Sequence, residues 1–534
     1  MRILALLPIA YCLLPLLASS QSNQNIPLYR EKILQYEKYF NNKDCSIHTS
    51  IKPFINSKGV ETMSDSIKRS MTRRTDTLPS KANTHDKDNI LTISGIGSAE
   101  GGYERSTKNK SKFLLDGGLT LEGHFKNKLS LNSTFIAGNT SFPSYLDTFI
   151  SSSHVIPGMG SAYSSKNGYS YQYYSGYLSY SPNRIFNFQA GKGKHFWGDG
   201  YRSLFLSDVS NSFPYLKITT TVWKFQYTNL FTWMKDVTTP SNLKSDFKDK
   251  FASFHYLSWN VSKRLNIGLF ESVVWQGSDS NRTRSFDVNY LNPIIFYRPV
   301  EYSLGSSDNV LIGFSFKEKL FKKQQLYGQL LLDEFLLSAV KEDIKHSINS
   351  SSTGNWGWWG NKYGWQLGFK SFDLFKIDNL SFQTEVNVVR PFTYSHGSVQ
   401  QNYANYNQPL AHPLGSNFEE SVTFLNYRHK KWMFEAEFMY ALCGKDSGGK
   451  NMGSNIFQPY ITHQNEYGNY TGQGIKTNLR YMQLKCSYYL LPSSDLLAEA
   501  GIALRQESNS FSSTSSTFFF IGIKTGFMNR YADF

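Results

Sequence analysis

The chain has 534 residues, with 56 Lys and Arg against 41 Asp and Glu, a formal net charge of +15 at pH 7. Aromatic residues make up 16 %, including 34 Tyr and 40 Phe, beside 39 Gly. Beyond the first twenty positions no run approaches the roughly 18 apolar residues of a spanning helix, which excludes a helical membrane protein. Long Ala-, Leu- and Glu-rich helical periods are almost missing, which argues against a large soluble enzyme.

Residues 1–20 read as a signal peptide: Arg2, an apolar run from Ile3 to Leu17 broken by Pro8 and Pro15, then Ala18-Ser19-Ser20 before Gln21. The predicted mature protein is exported. Residues 21–89 form an N-terminal extension of periplasmic or plug-like character. Within it Pro27 to Phe40 predicts an amphipathic helix with proline at its start. His48 to Phe54 predicts an extended segment ending at Pro53-Phe54, and residues 64–89 a basic, solvated linker. Cys12 leaves with the signal, and Cys45, Cys443 and Cys486 show neither CxxC nor metal spacing. The spacing selects no disulfide pair, and no metal or cofactor is expected.

From about Ile90 to the C-terminus the pattern has period two. Leu119, Leu121, Gly123 and Phe125 alternate with Thr120, Glu122, His124 and Lys126. Leu380, Phe382, Thr384, Val386 and Val388 alternate with Ser381, Gln383, Glu385 and Asn387, and Trp432, Phe434, Ala436, Phe438 and Tyr440 with Met433, Glu435, Glu437 and Met439. A soluble sheet or a transmembrane barrel gives such alternation. Segments of about ten residues, aromatics near their ends and closure of otherwise exposed strand edges favour the barrel. Roughly 24 residues per strand and connection predict an all-β outer-membrane barrel over residues 90–534, with about 18 antiparallel strands in a range of 14–20. The run from Phe518 to Phe527, with Phe534 beyond it, reads as a last strand closing on a terminal aromatic.

Three stretches interrupt the alternation. Gly191 to Ile218 mixes glycines, aromatics and both signs of charge. His195 with Asp199 or Asp208 could form a base and its orienter, but no nucleophile pattern stands beside them. Two readings remain. In the structural one, Arg202 pairs with Asp208 inside the lumen while Phe196, Trp197 and Tyr201 pack. In the ligand reading, Trp197 and Tyr201 stack on sugar rings and His195, Asp199 and Arg202 hold hydroxyls or carboxylates. Tyr290 to Gly313 carries Arg298 and Glu301 near Pro293 and Pro299, and predicts an irregular segment folded into the lumen as a bracing network with Asp208. Gly354 to Trp365 places Trp356, Trp358, Trp359 and Trp365 on a Gly-rich loop, as a sugar-stacking surface or an interfacial girdle.

Taken together, His48 to Phe54, Gly191 to Ile218, Tyr290 to Gly313 and Asn529 to Phe534 resemble the Bacteroidetes branch of the Wzi-like capsule-assembly family, which includes the gliding-motility-associated RemB-type proteins. The resemblance implies a barrel of about 18 strands with a small helical periplasmic part, located in the Gram-negative outer membrane. It also implies a lectin-like rather than enzymatic role: binding, retaining or helping to assemble capsule or exopolysaccharide, in support of gliding or adhesion. A porin-like substrate channel and an accessory scaffold of a surface secretion or motility complex are the alternatives. The expected partners are outer-membrane lipid, anionic or neutral surface polysaccharide and secretion or motility proteins. The positive charge suits anionic glycans, and nucleic acid is not expected.

Overall fold

A computed structural model describes residues 24–55, 89–106, 109–126, 128–238, 247–278, 286–292, 308–349, 354–492 and 494–534. The predicted signal peptide, the basic linker up to residue 88, Arg298 and Glu301 lie outside the described residues.

Period-two alternation becomes strand throughout. The first nine long strands are β1 (Asn89–Arg105), β2 (Lys110–Phe125), β3 (Leu129–Thr140), β4 (Gly168–Tyr180), β5 (Phe186–Gly193), β6 (Phe213–Val222), β7 (Phe225–Asp236), β8 (Lys248–Asn260) and β9 (Leu265–Gln276). The second nine are β10 (Asn309–Leu320), β11 (Gln324–Glu334), β12 (Lys362–Phe372), β13 (Leu380–Val389), β14 (Phe418–His429), β15 (Trp432–Lys445), β16 (Ile475–Leu491), β17 (Leu496–Ser508) and β18 (Ser513–Thr525). Each pairs antiparallel with its neighbours in sequence. The ring closes where β1 meets β18, from Ser98 opposite Lys524 to Arg105 opposite Thr517. The result is the predicted closed barrel of eighteen strands, with a three-residue strand, Tyr163–Ser165, added beside β4.

Side chains sort as the alternation demands. On β15, Trp432, Phe434 and Phe438 are exposed, whereas Met433, Glu435, Glu437 and Met439 are buried. An exposed apolar face around a closed sheet is the surface that lipid covers, and closure leaves no backbone edge unpaired in that medium. One barrel end carries short turns, such as 181–185, 223–224, 321–323 and 430–431; the opposite end carries the long connections 141–167, 194–212, 335–361, 390–417 and 446–474.

The lumen is packed rather than empty. Connection 194–212 folds inward and buries Trp197, Leu204, Phe205 and Leu206 against Leu230, Phe254 and Phe270 of the wall and against Tyr394, Tyr403 and Leu410 of connection 390–417. From the short-turn end enters α1 (Arg30–Phe40), whose Ile33, Tyr36 and Phe40 pack with Phe54, Phe196 and Tyr489. The helix starts three residues after the predicted Pro27: Ile26 N–H donates to the Phe54 carbonyl at 2.8 Å, and Tyr29, just before the helix, is extended at φ −129° and ψ 120°. Lys32 to Asp495 (2.7 Å), Lys38 to Asp373 (2.7 Å) and Lys485 to Glu31 (2.8 Å) seat it on the wall.

One expectation is corrected. The last strand ends at Thr525, and residues 526–534 turn back into the lumen, where Phe534 meets the edge of Phe149 at 5.3 Å. Asn529, Tyr531 and Asp533 find buried polar partners there, which an outward strand would leave facing lipid. Of the Tyr290 stretch, residues 293–307, with Arg298 and Glu301, lie outside the described residues, while 290–292 stand on the outer wall. Phe286 stacks on Trp233 and Tyr290 packs at a tilt against Trp275 (centroids 5.0 and 4.8 Å), and these tryptophans belong to the face opposite the lumen-packed Phe254, Phe270 and Val274. The segment covers apolar outer wall near the loop end.

Candidate functional site

Three of the four sequence islands interlock inside the barrel. Ile51–Lys52 pairs as a short ribbon with Phe196–Trp197. Lys52 Nζ donates to the Gly198 carbonyl at 2.6 Å, and Thr49 Oγ1 to Asp199 Oδ1 at 2.5 Å. Lys317 of β10 reaches the same two groups: its Nζ donates to Thr49 and stands 3.6 Å from Asp199. Burial opposes charge on Asp199, but Lys317 and Lys52 outweigh it and hold the carboxyl below its ordinary range.

Arg202, 1 % exposed, is the hub of the inward connection. Its Nη2 lies 3.0 Å from Glu420 Oε1 and 2.7 Å from Asp533 Oδ2, so loop, β14 and tail share one guanidinium. Glu420 also receives His412 Nε2 at 2.8 Å. The wall's polar inward face serves the loop backbone. Glu385 accepts the N–H groups of Tyr201 (2.8 Å) and Arg202 (2.9 Å), Gln329 accepts that of Leu204 (2.8 Å), and Gln366 donates to the Arg202 carbonyl (3.0 Å). These strand amides and carboxylates satisfy a buried loop, as buried backbone requires.

This placement overturns two sequence readings. Arg202 does not pair with Asp208, whose carboxylate instead accepts from Tyr531 (2.7 Å) and Asn529 (2.9 Å). Trp197 does not offer a stacking face for sugar, because Phe254, Tyr256 and Phe270 surround its ring and it is 0 % exposed. Nor do His195 and Asp199 meet. The His195 ring sits edge-on to Tyr215 at 4.5 Å, and burial, with Lys217 nearby, pushes its pKa well below the usual value, keeping it neutral. Tyr201 packs against Phe424 at 4.6 Å and donates to Asp533 at 3.1 Å. The Gly191 to Ile218 stretch is therefore internal scaffold in this arrangement.

The tryptophan loop is different. Trp365 departs from the group: it stands on the outer face of β12, between Leu330 and Val388. The other three gather at the loop end. Trp356 stacks on His346 of α2 (Leu337–Ile348) at 4.1 Å, and Trp358 Nε1 donates to Glu466 at 2.8 Å. Trp359 stacks on His463 at 4.4 Å with Tyr460 beside it at 5.1 Å. Connections 335–361 and 446–474 are zipped by backbone bonds: Gly468 N–H to Trp356 O (2.8 Å), Asn469 N–H to Gly357 O (2.9 Å) and Trp359 N–H to Glu466 O (3.0 Å). Gly357 lies at φ +68°, and a Cβ there would come within 2.5 Å of the Asn469 amide nitrogen, so only glycine permits the zip. Arg390 ties in the third connection, with Nη1 3.6 Å from Asp343 and Nη2 donating to the Asn469 carbonyl at 3.3 Å.

The product is a shelf of half-exposed rings, Trp356, Trp358, Trp359 and Tyr460, beside exposed Tyr467, Tyr470 and the amides of Asn355, Gln464 and Asn465. Such rings cover the C–H faces of sugars and the amides match hydroxyls. The sequence reading missed the 446–474 half of this shelf. Its signal was Tyr467-Gly468-Asn469-Tyr470, aromatics and amides around a turn glycine, the same composition that marks Gly354 to Trp365.

Fold and site together define an outer-membrane-type β-barrel with a filled lumen. No family model and no curated protein sequence matches the chain. Among solved structures it is similar to Wzi of Escherichia coli, described as an outer membrane protein involved in group 1 capsule assembly and a carbohydrate-binding β-barrel; the TM-score is 0.54 at 11 % identity, covering 95 % of this chain and 100 % of that one. OccAB2 of Acinetobacter baumannii (TM-score 0.41, 10 % identity, 81 % and 97 % covered) and OprD of Pseudomonas aeruginosa (0.40, 10 %, 80 % and 94 %) also match.

Proposed function

We propose that this protein is an exported, non-enzymatic outer-membrane barrel of the Wzi-like kind that holds surface polysaccharide at its loop end. The observation that carries this reading is the loop-end shelf, where aromatic faces and amide groups from two connections stand together and partly uncovered. By the general rule that barrel turns are short on the periplasmic side and loops long outside, the shelf faces the cell exterior. A packed lumen suits retention of a polymer outside rather than its passage, and the net charge of +15 favours anionic chains. Capsule or exopolysaccharide is the substrate class, with gliding or adhesion as the process served.

The test uses purified barrel and polysaccharide extracted from the producing cell's own surface. Trp358→Ala with Trp359→Ala is expected to weaken binding about 10-fold or more, at roughly 1–3 kcal/mol per lost sugar–ring contact by analogy with other ring-stacking sites. Trp365→Ala, on the outer wall, is expected to leave binding unchanged. Equal binding by the wild type and the double variant would remove the shelf from the mechanism.

A further inference from the structure

At the opposite end from the shelf a separate cavity of about 290 Å³ lies between the short turn at 181–185 and the segment 46–55. Its polar wall includes Lys217, Thr219, Thr221, Gln226 and Ser181, and Arg184 stands exposed at its rim. Ile51, Phe54 and Ile185 supply an apolar wall. No Asp or Glu is among the lining residues, although carboxylates are plentiful elsewhere in the lumen.

Lys217 is the unusual member. It projects inward from the middle of β6, opposite Leu230 and Gln189, and is 2 % exposed. The other deeply buried lysines of the lumen described above have an acceptor: Lys52 the Gly198 carbonyl, and Lys317 Thr49 and Asp199. Lys250 likewise donates to the Asn402 carbonyl at 2.6 Å. Lys217 has no hydrogen-bond or ion-pair partner among the described residues. A buried ammonium without a partner is costly, and a cavity at its side chain is where an anion would remove that cost.

We propose that this cavity binds an acidic sugar unit, with its carboxylate on Lys217. Size and wall chemistry choose the class. A volume of about 290 Å³ falls just below the range of drug-sized ligand pockets, which suits one monosaccharide rather than an oligosaccharide or a lipid. A bare oxyanion would leave the apolar wall and the row of hydroxyls and amides unused. A uronic acid places its charge at Lys217, its hydroxyls toward Thr219, Thr221 and Gln226, and its C–H face on Ile51 and Phe54. The site is independent of the loop-end shelf, and each can fail without the other.

The test is calorimetric titration of the full-length barrel in detergent with D-glucuronate, D-glucose and inorganic phosphate, for wild type, Lys217→Met and Lys217→Arg. Glucuronate is expected to bind wild type and to lose at least 10-fold in affinity with Lys217→Met, with partial recovery in Lys217→Arg; glucose and phosphate are expected to bind at least 10-fold more weakly than glucuronate. Lys217→Met without ligand is expected to melt no lower than wild type, since it removes a charge lacking a partner. Unchanged glucuronate affinity in Lys217→Met, phosphate binding as tight as glucuronate, or a lower melting temperature of the ligand-free variant would each overturn the assignment.

Discussion

Replacing Arg202 with methionine is expected to destabilise the barrel by about 3–5 kcal/mol, the range seen when one partner is removed from a buried ion pair. The variant keeps the side chain's bulk but strands Glu420 and Asp533, which are as enclosed as the arginine itself. His412 still reaches Glu420, so the heavier loss falls on Asp533 and on the tail it anchors. Heat-modified migration should shift to lower temperature, and a carboxypeptidase should reach residues 526–534 sooner. Adding Glu420→Gln and Asp533→Asn should restore part of the loss, because neutral amides cost less to leave buried. A single variant as stable as wild type would show that the network contributes nothing net.

Trp197→Ala is the second large effect, expected at about 3–5 kcal/mol for a buried aromatic truncated in a packed core. Trp197 holds the centre of the lumen, with Phe254, Tyr256 and Phe270 around the ring and its backbone N–H on the Leu206 carbonyl at 2.8 Å. The indole N–H has no partner among the described residues. Trp197→Phe is therefore expected to be mild, under about 1.5 kcal/mol, since it keeps much of the packing and removes an unsatisfied donor. Equilibrium unfolding of both variants separates the packing contribution from the polar one, and a Phe variant as damaged as the Ala variant would contradict it.

The barrel was legible because lipid and lumen impose opposite demands on alternate residues, and strands such as β13 and β15 write those demands directly into the chain. The approximate strand count followed from segment length. The lumen contents were half legible. Gly191 to Ile218 stood out as an insert between strands, but which partners its charges choose depends on residues more than 180 positions away, at Glu385, Glu420 and Asp533. Nothing local told Asp208 from Glu420 as the partner of Arg202. Trp197 and Trp359 look alike in sequence, each beside glycine and polar residues; only the fold buries one and leaves the other at the rim. Trp365 followed the tryptophan loop in sequence, yet strand parity turned it outward. The tail was misjudged because the aromatic run in β18 continues smoothly to Phe527, while the polar residues that draw 529–533 inward act through partners on other strands.

Conductance across a planar bilayer tests the filled lumen most directly. The intact barrel, with Arg202, Trp197 and α1 in place, is expected to insert without steady open-channel current, while a variant with residues 198–208 replaced by a short glycine–serine turn is expected to conduct. Large, stable current from the unaltered protein would contradict the account and return it to a substrate channel.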